Sequence, residues 1–298
     1  MRFSLIIGTL NRADTLGSCL ESLLKQSFTD YEIIIIDQSN DDLTEKLVDS
    51  LHSEKIIYKR VSFKGLSKAR NEGLKYARGD FLCLIDDDAY YNEDYLSNAL
   101  RVITEEKDKK TIVSGYIFDT VNNRDFAKYD HTRNNQSLNT IQIIRTCPSA
   151  ALIIPIQVMV ECGAFDEKLG VGAEYGAGEE TDLLLRAIQR DYHVIYSESV
   201  KLKHPYPIPE YSTSTDNGNN KMKYYYKGIG ALYKKHLLLC KEYNLAHPFL
   251  VLWTKFIIKY LLPFRYNHVR VRCEINGFVE GLKGYTLESG EIVHEDEA

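Results

Sequence analysis

An apolar run, Phe81-Leu82-Cys83-Leu84-Ile85, ends abruptly in Asp86-Asp87-Asp88. A short apolar stretch preceded by Gly79-Asp80 and closed by carboxylates has the length and bounds of a buried strand. Side chains alternate along an extended chain, so Asp86 and Asp88 project to the same side. Carboxylates this close repel one another unless a cation lies among them. In open α/β sheets, ligands sit just beyond the carboxyl ends of the strands. A hard divalent cation carrying a phosphorylated ligand is therefore the natural occupant of this strand tip.

The surrounding sequence supplies the sheet. Phe3–Thr9, Glu32–Asp37, Lys55–Lys59, Asp80–Ile85 and Thr111–Tyr116 read as strands, and Asp14–Gln26, Asp41–His52, Leu66–Ala77 and Asn92–Glu106 as the helices between them. Alternation of this kind predicts an α/β fold with a doubly wound, mostly parallel sheet. Beyond it the pattern changes. Residues 119–140 form a polar, Asn-rich surface excursion, Ser149–Ile154 a strand, Ile156–Cys162 a short helix and Glu179–Arg190 a clear one. Strands at His193–Tyr196 and Val200–His204 follow, then helical sequence and an acidic tail, His294–Ala298. The expected organisation is one domain over 1–205, with halves of about 1–117 and 118–205, a linker over 206–220, and a basic helical region over 221–298.

The chain of 298 residues is 44% hydrophobic, enough for a substantial core. Its six cysteines form no C-x-x-C pair, which argues against a zinc or redox site and suits reduced, mostly buried thiols in the cytoplasm. The first apolar run is too short for a signal peptide, and Asn11, Arg12 and Asp14 follow at once. No G-x-G-x-x-G or Walker lysine loop follows the first strand, so the dinucleotide and P-loop readings lose their warrant.

The first strand ends in Thr9-Leu10-Asn11-Arg12 and the second in Asp37-Gln38-Ser39-Asn40-Asp41. Adjacent polar tips of this kind make a cleft for a nucleotide. Asp41 serves equally well as a helix cap, whereas Asp37, closing an Ile-rich strand, favours a ligand role. In Gly65-Leu66-Ser67-Lys68-Ala69-Arg70-Asn71-Glu72-Gly73 and the following Leu74 the inward face is Leu66, Ala69, Gly73 and Leu74, leaving Arg70 and Asn71 to turn toward the acidic tip. Glu179, Glu180 and Asp182 fall in the first turn of a helix, whose positive end favours ionised carboxylates. Asp182 is read either as an ordinary N-terminal acid or as a partner of Arg186 at i,i+4. The glycine-rich stretch before them (Gly170, Gly172, Gly176, Gly178) is either a closing lid or a plain connection.

Taken in order, these motifs resemble glycosyltransferase family 2. The resemblance rests on Thr9…Asn11-Arg12, on Ile33–Asp37 with Ser39 and Asp41, on Gly65-Leu66-Ser67…Arg70-Asn71-x-Gly73 and on Asp86-x-Asp88. It continues in Gly163-Ala164-Phe165-Asp166-Glu167, in Gly178-Glu179-Glu180-Thr181-Asp182-Leu183-Leu184-Leu185-Arg186 and in His204-Pro205. It implies a GT-A fold and an inverting, metal-dependent hexosyltransferase acting on a nucleotide-diphosphate sugar, a UDP-sugar. By resemblance, Asp37 receives the uracil, with Thr9, Asn11, Arg12, Ser39, Lys68 and Arg70 around the nucleotide. Asp86 contacts the ribose, and Asp88 and His204 hold Mg²⁺ or Mn²⁺. Asp87 fits either register of the three aspartates. Glu180 matches the catalytic base, with Glu179, Asp182 and Arg186 in acceptor or supporting positions. Two departures stand out: Glu180 where the family often has Asp, and Gln38 where it often has a second Asp.

Charge is uneven. Residues 221–273 hold 11 Lys or Arg against one acid, Glu242, so this stretch carries +10 and the remainder −15. Phe249–Leu262, 14 residues with Lys255 and Lys259, is too short and too charged to span a bilayer. It suits a basic amphipathic segment on an anionic membrane surface; the competing reading is a helical subdomain packed on the acidic part. No nucleic-acid recognition motif occurs.

The expected protein is an enzyme on the cytoplasmic face of the membrane. It transfers one sugar to a glycan or polyprenyl-linked acceptor in bacterial surface polysaccharide synthesis, with no pore for extruding a polymer. A sugar-phosphate nucleotidyltransferase would need a glycine-rich basic phosphate loop that Ile7-Gly8-Thr9-Leu10-Asn11-Arg12 does not supply. A catalytically silent nucleotide or carbohydrate binder would have no use for Asp88 and Glu180.

Overall fold

The computed structural model describes residues 2–106, 110–205, 215–262 and 266–287. Arg265, the acidic tail and most of the expected linker lie outside the described residues. The chain divides into two compact units, Met1–Phe165 with Leu183–Tyr206, and Asp166–Asp182 with Pro207–Ala298.

The first unit is built on a sheet whose described strands are β1 (Phe3–Thr9), β2 (Tyr31–Asp37), β3 (Ile56–Arg60), β4 (Phe81–Ile85), β5 (Tyr90–Tyr91), β6 (Thr111–Asp119), β7 (Arg124–Asp125), β8 (Gln136–Ser137), β9 (Leu152–Pro155) and β10 (His193–His204). The order is β3-β2-β1-β4-β9-β6-β10-β5, with β7 on β6 and β8 on β10. β3, β2, β1 and β4 run parallel, as do β6 and β10, while β9 is antiparallel to both its neighbours.

Helices α1 (Ala13–Leu24), α2 (Leu43–Leu51), α3 (Leu66–Leu74), α4 (Tyr95–Glu105), α5 (Thr140–Thr146), α6 (Ile156–Glu161) and α7 (Glu179–Ile188) connect the strands. Strand alternation divides the core by face. Leu5, Ile7, Ile33, Ile35, Cys83 and Ile85 pack with Leu16, Leu20 and Leu23 of α1 and with Leu96 and Ala99 of α4. Ile6, Ile34, Ile36 and Leu82 pack with Ala69 of α3 on the other face. Leu84, Ile112 and Ile154 meet Leu183, Leu184 and Ala187 of α7 there too. Every residue of β2 is buried, as a central parallel strand covered on both faces requires. Each fully buried Ile or Leu contributes about 1.5–3 kcal/mol relative to exposure. The fold is therefore α/β and doubly wound.

Two sequence expectations change. The segments read as separate strands at His193–Tyr196 and Val200–His204 are one strand, β10, whose register shifts between Ser197 and Lys201. The bulge is possible because Gly115 faces it: a Cβ there would stand 2.4 Å from the Val200 carbonyl oxygen. The excursion at 119–140 also returns to the sheet, through β7 and β8.

In the second unit, α8 (Asp216–Tyr233) continues into a π-helical segment (Lys234–Leu239), and α9 (Ala246–Leu261) and α10 (His268–Gly284) follow. The linker expected up to residue 220 ends sooner, because Thr215 caps α8 by accepting from the Gly218 amide. α8 and α10 approach until their backbones touch. A Cβ on Gly277 or Gly281 would stand 2.0 Å from the carbonyl oxygens of Lys223 and Lys227. Phe278 of α10 packs on Tyr233, Phe249, Trp253 and Phe256. Among the described residues no helix is long and apolar enough to cross a membrane.

Candidate functional site

Parallel register brings several predicted residues to one sheet edge. Thr9 lies level with Asp37, and Asp37 with Arg60, while Ile7 pairs Ile85 just before the three aspartates. The Thr9 hydroxyl donates to Asp87 Oδ2 at 2.7 Å. Arg12 contacts Asp87 through Nη1 at 2.8 Å and Asp88 through Nη2. Arg70, fully buried on α3, lies 3.5 Å from Asp86 Oδ1, its guanidinium 5.6 Å from the Phe165 ring centre. His204, the last residue of β10, places Nε2 3.0 Å from Asp88 Oδ1 and 3.5 Å from Asp86 Oδ2. Phe126, from the returning excursion, packs edge-on against the His204 ring.

Each carboxylate responds differently. Burial pushes Asp87 up to about 6 despite Arg12 and the Thr9 hydroxyl. Burial acts on Asp88 too, but hydrogen bonds and charge from His204 and Arg12 outweigh it and hold it at about 2. Burial alone would lower His204; its bonds to Asp86 and Asp88 prevail and raise it to about 10.

The histidine also indicates what the site can bind. Nδ1 lies 2.8 Å from the Pro205 carbonyl oxygen, a contact that requires a proton on Nδ1. A neutral ring in that tautomer would turn the Nε2 lone pair toward two carboxylates. A cation must intervene: a proton on Nε2, or a metal ion with nitrogen and oxygen ligands. A ligating histidine that donates its other N–H to a carbonyl is a common metal-site arrangement, and hard carboxylates beside it suit Mg²⁺ or Mn²⁺. Among the described residues no three His, Cys, Asp or Glu side chains are arranged to hold an ion unaided. The residues fit a partial shell that a ligand's oxygens complete.

Asp37 is fully buried. Oδ1 accepts from the Ser39 amide at 2.9 Å, and Oδ2 from the Tyr58 hydroxyl at 2.8 Å, with Arg60 Nε at 3.8 Å. The Ser39 hydroxyl accepts from the Asn11 amide at 2.8 Å, tying the β1 and β2 tips together. Tyr58 and Arg60 were not singled out from the sequence, although their place on β3, the next parallel strand, is the signal that leads to them. Asp41 accepts from the Leu43 amide at 3.0 Å, an Asx-type turn just ahead of α2, whose N-cap position is Asp42. Lys68 is exposed on the first turn of α3. Asn71 exchanges two 2.9 Å bonds with the Phe165 backbone.

Glu179, Glu180 and Asp182 form the first turn of α7 and belong to the second unit, as does the glycine-rich stretch before them. Glu180 is half-buried, and Glu179 and Asp182 are buried. The stretch is braced: Leu169 bridges Tyr175, and the Tyr224 hydroxyl donates to the Ala173 carbonyl at 2.6 Å. The Tyr224 ring fills the space where a Cβ on Gly176 would sit. Arg186, in the first unit, donates to the carbonyls of Cys162, Gly163 and Ala164. Asp182 meets Lys235 and His236, residues the sequence left unassigned.

The family model described as "Glycosyl transferase family 2" matches residues 4–167. Over 110 residues, 35% of this chain and 19% of the relative, the chain is 33% identical to the poly(ribitol-phosphate) beta-N-acetylglucosaminyltransferase TarS of Staphylococcus aureus. It is 34% identical over 105 residues, 35% of this chain and 42% of the relative, to the UDP-Glc:alpha-D-GlcNAc-diphosphoundecaprenol beta-1,3-glucosyltransferase WfaP of Escherichia coli. The matches thus span roughly a fifth to two fifths of these curated relatives. The structure is similar to that of the mannosyltransferase PcManGT from Pyrobaculum calidifontis in complex with GDP-Man and Mn²⁺, with a TM-score of 0.65, 16% identity, and coverage of 95% of this chain and 87% of that one. It is also similar to S. aureus TarS in complex with UDP-GlcNAc, with a TM-score of 0.56, 19% identity, and coverage of 80% and 73%. The fold is GT-A.

Proposed function

The chain belongs to glycosyl transferase family 2, and we propose that it transfers a single sugar, with inversion, from a UDP-sugar to a hydroxyl of a glycan or polyprenyl-linked acceptor during assembly of bacterial surface polysaccharide. The observation that carries this reading is the gathering of Asp86, Asp87 and Asp88 with Arg12, Arg70 and His204 at the carboxyl edge of a doubly wound sheet. Clustered acids of this kind, neutralised only in part by arginine, suit a cation and the diphosphate it carries.

In this reading Asp37, Ser39, Thr9 and Asn11 receive the nucleoside, and Asp86 the ribose. Arg12, Arg70 and Lys68 face the diphosphate, and Asp87 supports the arginine. Asp88 and His204 would hold Mg²⁺ or Mn²⁺, which when bound would supply charge neutralisation for a departing diphosphate. Glu180 accepts the proton of the acceptor hydroxyl as its oxygen bonds to the anomeric carbon. The bond from that carbon to the diphosphate breaks, and its electron pair leaves with the nucleotide. Glu179 and Arg186 support the acceptor side.

The names of TarS and WfaP give poly(ribitol-phosphate) and alpha-D-GlcNAc-diphosphoundecaprenol for those proteins. A base contributes about 10²–10⁴-fold to such a step. Glu180→Gln should therefore keep donor affinity and lose transfer by that factor, as followed by release of UDP in the presence of acceptor. Transfer at the normal rate would mean that another group takes the proton.

We also propose a peripheral contact with an anionic membrane surface through 221–273, on α9. Leu250, Ile257, Ile258 and Leu261, spaced at helical intervals, are each more than half exposed. Lys255 is exposed beside them, and α9 contains no acid. Contiguous apolar exposure on a helix with basic flanks fits insertion at a lipid interface.

A further inference from the structure

The second unit buries a set of ionisable groups that the proposed reaction does not use. Asp182 Oδ1 lies 2.8 Å from His236 Nε2 and 3.0 Å from Lys235 Nζ. Lys235 Nζ is also 2.8 Å from Asp166 Oδ2, which accepts from the Tyr285 hydroxyl. His236 Nδ1 faces Glu242. Asp166, Asp182, Lys235 and His236 have side chains no more than 6% exposed. Buried charges are costly unless closely paired, and removing one member strands the others.

The backbone is shaped around this set. Lys235 and His236 are consecutive, and on a regular α-helix neighbours point about 100° apart. Here they lie in the π-helical segment Lys234–Leu239, and both reach Asp182. Single π-helical turns recur at functional sites because they re-aim side chains.

The two acids that Lys235 joins are also telling. Asp166 opens the glycine-rich stretch and anchors it, accepting from the Lys168 amide at 3.0 Å. Asp182 closes it, in the turn that carries Glu179 and Glu180. Gly170, Gly172 and Gly178 all have positive φ, which glycine adopts without strain, and the stretch between is braced by its own backbone bonds and by Tyr224. A single ammonium therefore ties the two ends of this braced loop together, and the second end sits two residues from the proposed base.

We propose that Lys235, assisted by His236, is a positioning residue: it clamps Asp166 to Asp182 and so fixes the turn that presents Glu180 to the acceptor hydroxyl. This rests on Glu180 being the base. The C-terminal helices would then be part of the catalytic apparatus through this clamp, and not only through membrane contact.

Kinetics of the full chain test it. Lys235→Met should lower kcat about tenfold or more, since a base displaced by about 1 Å can cost as much as 10²-fold, while the KM for UDP-sugar stays within about twofold. A shorter arm at the base, Glu180→Asp, should cost clearly less in the Lys235→Met background than alone, because the two changes perturb one alignment. A folded Lys235→Met enzyme with unchanged kcat, or full additivity with Glu180→Asp, would overturn the clamp. Should Lys235→Met not fold, the Asp166→Asn/Lys235→Met variant removes both charges together and carries the same expectation. His236→Gln, which keeps a donor toward Asp182, should lose less. Failure of the underlying reading shows separately, as Glu180→Gln transferring at the normal rate whatever Lys235 does.

Discussion

At the scale of single residues, the acidic strand tip depends on how each carboxylate is compensated. Asp87 is buried on Thr9 and Arg12, and Asp88 is shared between Arg12 and His204. His204 carries the clearest consequence for pH. Its pKa is raised from 6.5 to about 10, so the folded protein binds this proton more tightly than the unfolded chain does. The resulting stability is complete below pH 6.5 and is lost as pH rises toward 10. Without added metal, Tm should fall across that interval, and His204→Gln should reduce the slope in a calorimetric pH series. An unchanged slope in His204→Gln would place the titration elsewhere. Asp88 and His204 were legible because each stands at the end of an apolar or alternating strand. Tyr58 and Arg60 are reached only through their place on β3 beside Asp37, and Lys235 and His236 not at all, since nothing local in sequence distinguishes a lysine or histidine that meets a buried acid from one on a solvated face.

At the scale of elements, strands and helices of the first half were legible from periodicity, because each buries a regular stripe against a single sheet. Failures came where geometry departs from regular repeats. The β10 bulge at Ser197–Lys201 broke the alternation that marks a continuous strand. The π-helical turn cannot be read from a 3.6-residue pattern. Element packing also revises the charge argument. Lys223, Lys227, Lys235, Lys259 and Arg270 pair with Glu280, Glu174, Asp166, Glu274 and Glu274 respectively. Much of the basic excess is therefore spent inside the second unit. The proposed lipid contact then depends more on the apolar side of α9 than on net charge. Ile257→Ser/Leu261→Ser should remove most sedimentation with vesicles containing anionic lipid, at about 0.8 kcal/mol for each buried CH₂ removed, while Lys255→Ala should have a smaller effect. Equal sedimentation of the apolar variant and the parent would remove α9 as the contact.

At the scale of the whole molecule, the chain forms two compact units. The sheet of the first carries Asp37, Asp86, Asp88 and His204, which the proposed reading gives to the nucleotide and the cation. The second contains the α7 turn with Glu180, the braced glycine stretch and the helices that hold it. The expected boundary at about residue 205 followed a change in composition. The observed grouping instead assigns residues 166–182 to the later helices, because Tyr224, Lys235 and Tyr285 hold that stretch through contacts more than 50 residues distant in sequence. Long-range pairing of this sort leaves no local trace. Central to the account is that the aspartate-tipped strand binds the diphosphate of a nucleotide sugar through a shared cation. Isothermal titration of UDP-sugar into the full chain, with and without Mn²⁺, tests this directly. The account predicts binding strengthened by Mn²⁺ in the parent and a loss of that strengthening, by about tenfold or more, in Asp88→Ala; Mn²⁺-independent binding of equal strength in both proteins would contradict it.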